Sequence, residues 1–328
     1  MLTEHTARAR AGEPTGIRPV HALAGRVPRC ALEGAARGPL PAGTHAGRRV
    51  TPRPAAGAVC PVGRRGDGGG RALAEATWRV GALWRYPVKS LQGLAEDELT
   101  LTARGVVGDR AFGVLDVARA TVLSAKRVGR LLEGRVRQDP EGALVIELPA
   151  GRFSPGAELD DALSSWLDFP ARLVAAVEDG AARYESPVDP EDEGSALEQW
   201  EGPEGSFVDS SPLHLLTTAS LRAAARAQPA GDWSVRRFRP NVLIEADGEE
   251  FLDGRLVGRR LRIGETVLAV TKECTRCVMT TRPQPDGLRA EREILGYLAR
   301  ARASALGVRA GVVVPGRVRV GDAVRVQG

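Results

Sequence analysis

The sequence predicts a mainly β protein with a few helices (α+β). Short alternating apolar and polar segments recur at close spacing, glycine- or proline-bearing turns separate them, and helical apolar spacing appears in few places. Order begins near Trp78. Residues 78–87 alternate, residues 99–102 and 111–116 follow after glycine-bearing turns, and residues 135–137 and 143–148 continue the series. Strands so closely spaced argue a small barrel or sandwich. Residues 160–167 read as a short capped helix and 171–174 as a strand.

Residues 178–206 are acidic and rich in proline and glycine, which suits an exposed connection between two halves. Beyond it lie a strand at 214–217, a helix N-capped by Thr218 or Ser220 and running through Arg226, and a strand at 241–245. Leu261 and Ile263, then Val267 and Ala269, alternate again. An amphipathic helix is expected over 288–305, with Leu288, Ile294, Leu295, Leu298 and Ala299 inward. The chain closes on residues 311–314 and on a strand carrying Val318, Val320, Val324 and Val326, joined by the turn signal Pro315-Gly316.

Composition bounds the class. The 328 residues are 43% hydrophobic, enough for a real core. Charges interrupt every hydrophobic stretch, so no membrane-spanning run appears, and the N-terminus lacks the apolar core of a signal peptide. A reducing, cytoplasmic location is expected, with free thiols on the four cysteines. Residues 1–70 carry eleven arginines against four acids, so the overall charge of +5 belongs to that stretch and the rest is slightly acidic. Nucleic-acid binding is therefore not expected. Residues 1–76, rich in Arg, Ala, Gly and Pro without apolar periodicity, are expected to be a disordered tail: solvated, or an extension from upstream of the true start.

The stretch that carries chemistry is Cys274-Thr275-Arg276-Cys277-Val278-Met279-Thr280-Thr281, at the end of an alternating strand. Zinc wants four ligands, and the other candidates are Cys30 and Cys60 in the tail and His214, so zinc is not expected. A thioredoxin-type pair should precede a helix, whereas β-forming residues follow here. Two buried cysteines acting as small hydrophobes and a thiolate offered to a soft metal of a separate cofactor both stay open. In an extended chain the two thiols, three residues apart, point to opposite faces, so only one is expected to meet a bound metal.

Against forty-three arginines stand only three lysines, Lys89, Lys126 and Lys272. Lys89 lies in Tyr86-Pro87-Val88-Lys89-Ser90, where an ammonium and a hydroxyl at a backbone bend suit a phosphate oxygen; a solvated strand end is the alternative. Gly108-Asp109-Arg110 puts a guanidinium at a strand start with a carboxylate to hold it. Arg236-Arg237-Phe238-Arg239-Pro240-Asn241 gathers three guanidiniums, an aromatic ring and an amide, groups that grip phosphate and meet a heterocycle edge.

Taken in order, these motifs, with Leu215-Leu216-Thr217-Thr218-Ala219-Ser220-Leu221 and Val320-Gly321-Asp322, resemble the MOSC family, the molybdenum cofactor sulfurase C-terminal domain. They are similar to its two-part members, which include the mitochondrial amidoxime-reducing components. The resemblance implies an N-terminal β-barrel domain over 77–177, an acidic connection over 178–206 and a MOSC β-barrel domain over 207–328, with molybdopterin bound between the halves. It implies that Cys277 is catalytic and ligates molybdenum. Lys89, Ser90, Arg110, Thr217, Ser220, Arg239 and Asn241 then hold the pterin and phosphate, and Cys274 is buried against the barrel.

The implied function is a molybdenum-cofactor oxidoreductase reducing N-hydroxylated or other N–O compounds. The implied partners are a small-molecule substrate and a separate electron-donor protein, with neither nucleic acid nor membrane. The alternative is a cofactor carrier or sulfur-handling module without small-molecule turnover. Two departures stand out. Where the family usually has a Val-Asp-Pro type turn this chain has Arg282-Pro283-Gln284-Pro285, and no further cysteines follow that could hold an iron–sulfur cluster.

Overall fold

Alternating burial turns most of the expected segments into strands. A computed structural model describes residues 17–19, 78–177, 180–189, 192 and 194–327. Its early strands are β1 (Ile17–Pro19), β2 (Trp78–Arg85), β3 (Leu94–Glu96), β4 (Glu98–Thr102), β5 (Gly105–Val106), β6 (Phe112–Asp116), β7 (Thr121–Val122), β8 (Arg135–Gln138), β9 (Leu144–Leu148) and β10 (Gly151–Phe153). Then come β11 (Ala171–Ala176), β12 (Arg183–Pro187), β13 (Leu197–Glu201), β14 (Leu213–Thr217), β15 (Val242–Glu245), β16 (Arg260–Ile263), β17 (Thr266–Thr275), β18 (Ala305–Val314), β19 (Gly316–Arg319) and β20 (Ala323–Gln327). The helices are α1 (Ala157–Leu167), α2 (Thr218–Ala227), α3 (Val235–Phe238) and α4 (Arg292–Arg302). None of the described helices is long and apolar enough to cross a membrane.

The architecture is the expected one, mostly strands with few helices. β15, β14, β18, β17, β16, β20 and β2 pair in that order, and β2 returns to β15 to close a seven-stranded barrel, with β3 appended to β2. The β14–β15 pairing is parallel, as a crossover through α2 and α3 allows, and the others are antiparallel. Leu83, Val242, Ile244, Leu261, Leu268, Val308 and Val324 fill its core. Leu99 and Leu101 of β4 and Val318 of β19 pack into the same core.

A second body is the sheet β1-β11-β6-β7-β12-β13, with the three-stranded sheet β10-β9-β8 and α1. Leu159, Leu163 and Leu167 recur every four residues on α1 and bury one stripe of it against Leu131, Ile146 and Leu173.

Several local expectations are corrected. α1 begins at Ala157 and lacks a side-chain cap, because its cap position is Gly156, while the Asp160 carboxylate, expected at the helix start, accepts from the Leu173 N–H at 2.8 Å. Thr217 caps α2, ahead of both expected candidates, Thr218 and Ser220. α4 is shorter than its apolar pattern, since Ala303 and Ser304 adopt φ of +47° and +62° and turn the chain into β18. The acidic stretch expected as an exposed connection supplies the hairpin β12–β13. Its alternation is masked in sequence because the buried carboxylate of Glu185 is matched by Arg119 and Arg127. β2, expected in the first unit, completes the barrel of the second. The expected tail lies outside the described residues except for Ile17–Pro19, which pair antiparallel with β11.

Candidate functional site

Where the second body meets the barrel lies a cleft of about 330 Å³. Three short segments, distant in sequence, are stitched together at its floor. The Tyr86 N–H donates to Asp109 Oδ1 at 2.7 Å, the Arg110 N–H to the Tyr86 carbonyl at 2.7 Å, and the Tyr86 hydroxyl to the Pro240 carbonyl at 3.1 Å. Ser90, Arg110 and Arg239 all adopt left-handed backbone, with φ of +69°, +48° and +54°. Each such non-glycine residue costs about 1–3 kcal/mol and persists only where its surroundings over-determine it.

The result is a pair of guanidiniums around one ring. The Arg110 and Arg239 guanidinium carbons each lie 4.3 Å from the centroid of Tyr86. Burial pushes the Tyr86 hydroxyl up to about 12, so the ring stays neutral. Arg110 is also paired with Asp109. Arg239 has no such partner: its Nη1 is buried without a hydrogen bond. Burial, reinforced by Arg110, lowers its guanidinium to about 10, so it remains a cation at neutral pH. A buried charged donor left open asks for an anion from outside the chain.

The sibling arginines do other work. Arg237 is fully buried and donates to Asp232 at 2.9 Å and the Arg289 carbonyl at 2.8 Å, while Arg236 pairs with Asp286 at 3.2 Å. Arg237 keeps its Nε buried without a partner but has both terminal nitrogens engaged, as has Arg236, so among the described contacts Arg239 is the one of the three with a terminal nitrogen left open.

Lys89 is buried, and its ammonium is largely committed within the chain. It donates to the Phe207 carbonyl at 2.9 Å and to Asp209 Oδ1 at 2.5 Å, and lies 4.3 Å from the Tyr184 ring centroid. Lys126 reaches the other oxygen of Asp209 at 3.3 Å and lies 4.6 Å from the Trp200 centroid. Burial works to raise the Asp209 carboxyl, but the two ammoniums outweigh it and hold the group well below the usual carboxylate range. Lys89 itself is lowered, because burial outweighs the one carboxylate it shares.

Both thiols line the cleft. They do so unequally, Cys274 buried and Cys277 half-buried: the β17 ladder ends at Thr275, and the chain then leaves the extended alternation. Cys274 is buried, and its sulfur accepts from Arg276 Nη1 at 2.8 Å. Burial alone would raise this thiol, but Arg276 and then His214 bring it down to about 5. Cys277 is half-buried at the start of a 3-10 turn (Val278–Thr280), and its carbonyl accepts from the Thr280 N–H at 3.1 Å and hydroxyl at 2.9 Å.

Of the residues expected from sequence, Lys89, Ser90, Arg110, Arg239, Asn241 and Cys277 line the cleft. Thr217 and Ser220 do not. They are buried at the start of α2, where Thr217 Oγ1 accepts from the Ser220 N–H at 3.1 Å and Ser220 Oγ from the Asp253 N–H at 3.1 Å. The Ser90 hydroxyl accepts from the Ala125 N–H at 2.9 Å. Asn241 is also engaged inside the chain, accepting from the His214 N–H at 3.2 Å and donating to the Trp84 carbonyl at 3.3 Å.

Lining residues that carried no site role in the sequence reading include Lys126, Trp200, Asp209, His214, Arg276 and Arg309. The scarcity of lysine already pointed to Lys126. Nothing local singles out Asp209, which lies in an ordinary loop and matters through partners 120 and 83 positions away.

Comparison with known proteins yields two family models. That of the MOSC domain matches residues 203–325, and that of the MOSC N-terminal beta barrel domain matches residues 77–167. Human mitochondrial amidoxime-reducing component 1 is 24% identical over 262 residues, covering 70% of this chain and 73% of that protein. The crystal structure of the YUAD protein from Bacillus subtilis covers 76% of this chain and 95% of its own, at 13% identity and a TM-score of 0.42. That of YiiM from Geobacillus stearothermophilus covers 36% of this chain and 55% of its own, at 11% identity and a TM-score of 0.27.

Proposed function

The chain belongs to the MOSC family, with the family's N-terminal beta barrel domain ahead of its MOSC domain, and on that premise we propose that it is a molybdenum-cofactor oxidoreductase acting on N-hydroxylated or other N–O compounds. The observation that carries the reading is that a half-buried thiol, Cys277, and a buried cation with an open donor, Arg239, line one cleft. A molybdopterin-type group has the two features these residues would receive: a soft metal for a thiolate and a phosphate for a guanidinium.

Cys277 would hold the metal, and Arg239, with Arg110 beside it, the phosphate end. When bound, the cofactor supplies two-electron transfer to the substrate, with electrons replenished by a separate reductase. The chain's own residues bind and orient. The left-handed turns at Arg110 and Arg239 aim both guanidiniums over Tyr86. Burial around them keeps water from competing for the anion. The Thr280 hydroxyl, by bonding to the Cys277 carbonyl, holds the backbone from which the thiol projects.

The test is metal and pterin analysis of protein from a cofactor-competent host, followed by turnover of an amidoxime with an artificial reductant. Bound molybdenum with turnover, both sensitive to Cys277→Ser, is the expected result. Molybdenum without turnover favours the cofactor carrier, and absence of both overturns the reading.

A further inference from the structure

The second thiol sits in a cationic corner that its small size does not explain. Cys274 is 2% exposed, yet its surroundings are polar: the Arg276 guanidinium from its own segment, the His214 ring from β14 and the Arg309 guanidinium from β18. Arg276 is clamped at both ends. Its Nη1 donates to Cys274 Sγ at 2.8 Å and its Nη2 to the Phe238 carbonyl at 2.8 Å, while His214 Nε2 stands 3.4 Å from Nη1. Its Nε is buried and has no hydrogen-bond partner.

We propose that Cys274 is a positioning residue whose sulfur is the buried acceptor that fixes the Arg276 guanidinium in the cleft wall next to Cys277. A neutral core cysteine would leave that half-buried guanidinium with one backbone carbonyl and no counter-charge, although its Nε is already shut off from water without a partner. A thiolate supplies the charge, and it does so from a strand end anchored to β18, where Glu273 and Thr275 pair with Val308 and Ala305. Serine matches the shape and cannot supply the charge at neutral pH. Arg276 thereby presents a rigid cation beside the metal-binding thiol of the proposed reading, where it meets negative charge on the bound group or the substrate. The positioning role rests on that reading, but the thiolate itself does not.

Two measurements separate the two. NMR of protein isotope-labelled at cysteine Cβ, with Cys274→Ser used for assignment, follows ionisation of Cys274 directly and needs no cofactor. The thiolate should be present well below neutral pH in the wild type, and Arg276→Gln should move its midpoint upward, toward an ordinary thiol value. A midpoint unmoved by Arg276→Gln overturns the pairing even if molybdenum binds as proposed.

In the loaded enzyme, Cys274→Ser and Cys274→Ala should keep molybdenum content but lower kcat/KM about ten- to a hundredfold, as expected for loss of a charge-assisted bond. Arg276→Gln should lose as much, and the double variant little more. Kinetics within twofold of wild type in a folded Cys274 variant would make it an ordinary core residue and sink the proposal. If both Cys274 variants fail to fold, the NMR titration of Arg276→Gln still decides it.

Discussion

Lys89 and Arg239 look equivalent as cations in the sequence, and the structure makes them opposites. Lys89 already has the Phe207 carbonyl and Asp209, whereas Arg239 keeps a buried donor open. Arg239→Ala should therefore leave the melting temperature of cofactor-free protein nearly unchanged and weaken molybdopterin retention about ten- to a hundredfold. Lys89→Ala should lower both, because it strips Asp209 of its shorter contact. Melting curves of the apo proteins together with pterin analysis check the contrast. Asp209→Asn tests the same cluster through pH. A carboxyl held below its unfolded value contributes stability that is complete above that value and disappears as pH falls through the folded one. The loss from Asp209→Asn should thus be constant near neutrality and shrink only below about pH 4, where the unfolded carboxyl begins to protonate.

At the scale of the element, the hairpin β17–β18 sets the site. Register shifts at Val267/Leu268, Val270/Lys272 and Glu273/Thr275 bend its two ten-residue strands and carry the cysteines to the cleft. Gly307 in β18 has φ of +81°, and a Cβ there would collide with the His214 ring. Gly142 has φ of +83° with open space around it. Gly142→Ala should cost about 1 kcal/mol of backbone strain alone. Gly307→Ala should cost clearly more and displace His214 from Arg276. Chemical denaturation of both variants, with the His214 ring signal followed by NMR, measures the difference; equal losses would mean that the ring gives way freely.

The whole molecule depends on a strand from its first half. β2 stands between β20 and β15, so a fragment of residues 207–327 would hold a barrel with two open edges. That fragment should not fold to a stable monomer, and co-expression with residues 78–206 should restore it if the halves can find each other. Within the intact chain, Leu83→Ala should cost about 2–5 kcal/mol, since Leu83 lies fully buried among barrel residues of the second half. Urea unfolding reads the loss, and a value under about 1 kcal/mol would show that β2 merely lies against the barrel.

How much could be read without coordinates follows from the range of the interactions involved. Strand alternation, the punctuating turns and the Cys-x-x-Cys are local patterns, so the mainly β class, the order of elements and the stretch bearing the thiols were legible in the chain alone. So were Lys89, Arg110 and Arg239 as lining residues, because each sits at a turn whose chemistry is written in its immediate neighbours, whereas Cys277 was singled out of its pair by the family resemblance. Only the tertiary structure decided that Thr217 and Ser220 serve a helix start instead, that Asp209 already occupies Lys89, and that Arg276, with His214 beside it, meets Cys274. It also decided that β2 closes the barrel of the other half. These outcomes depend on which distant groups burial brings together. Whether a buried charge is satisfied or left open is a property of those partners, which no local pattern contains.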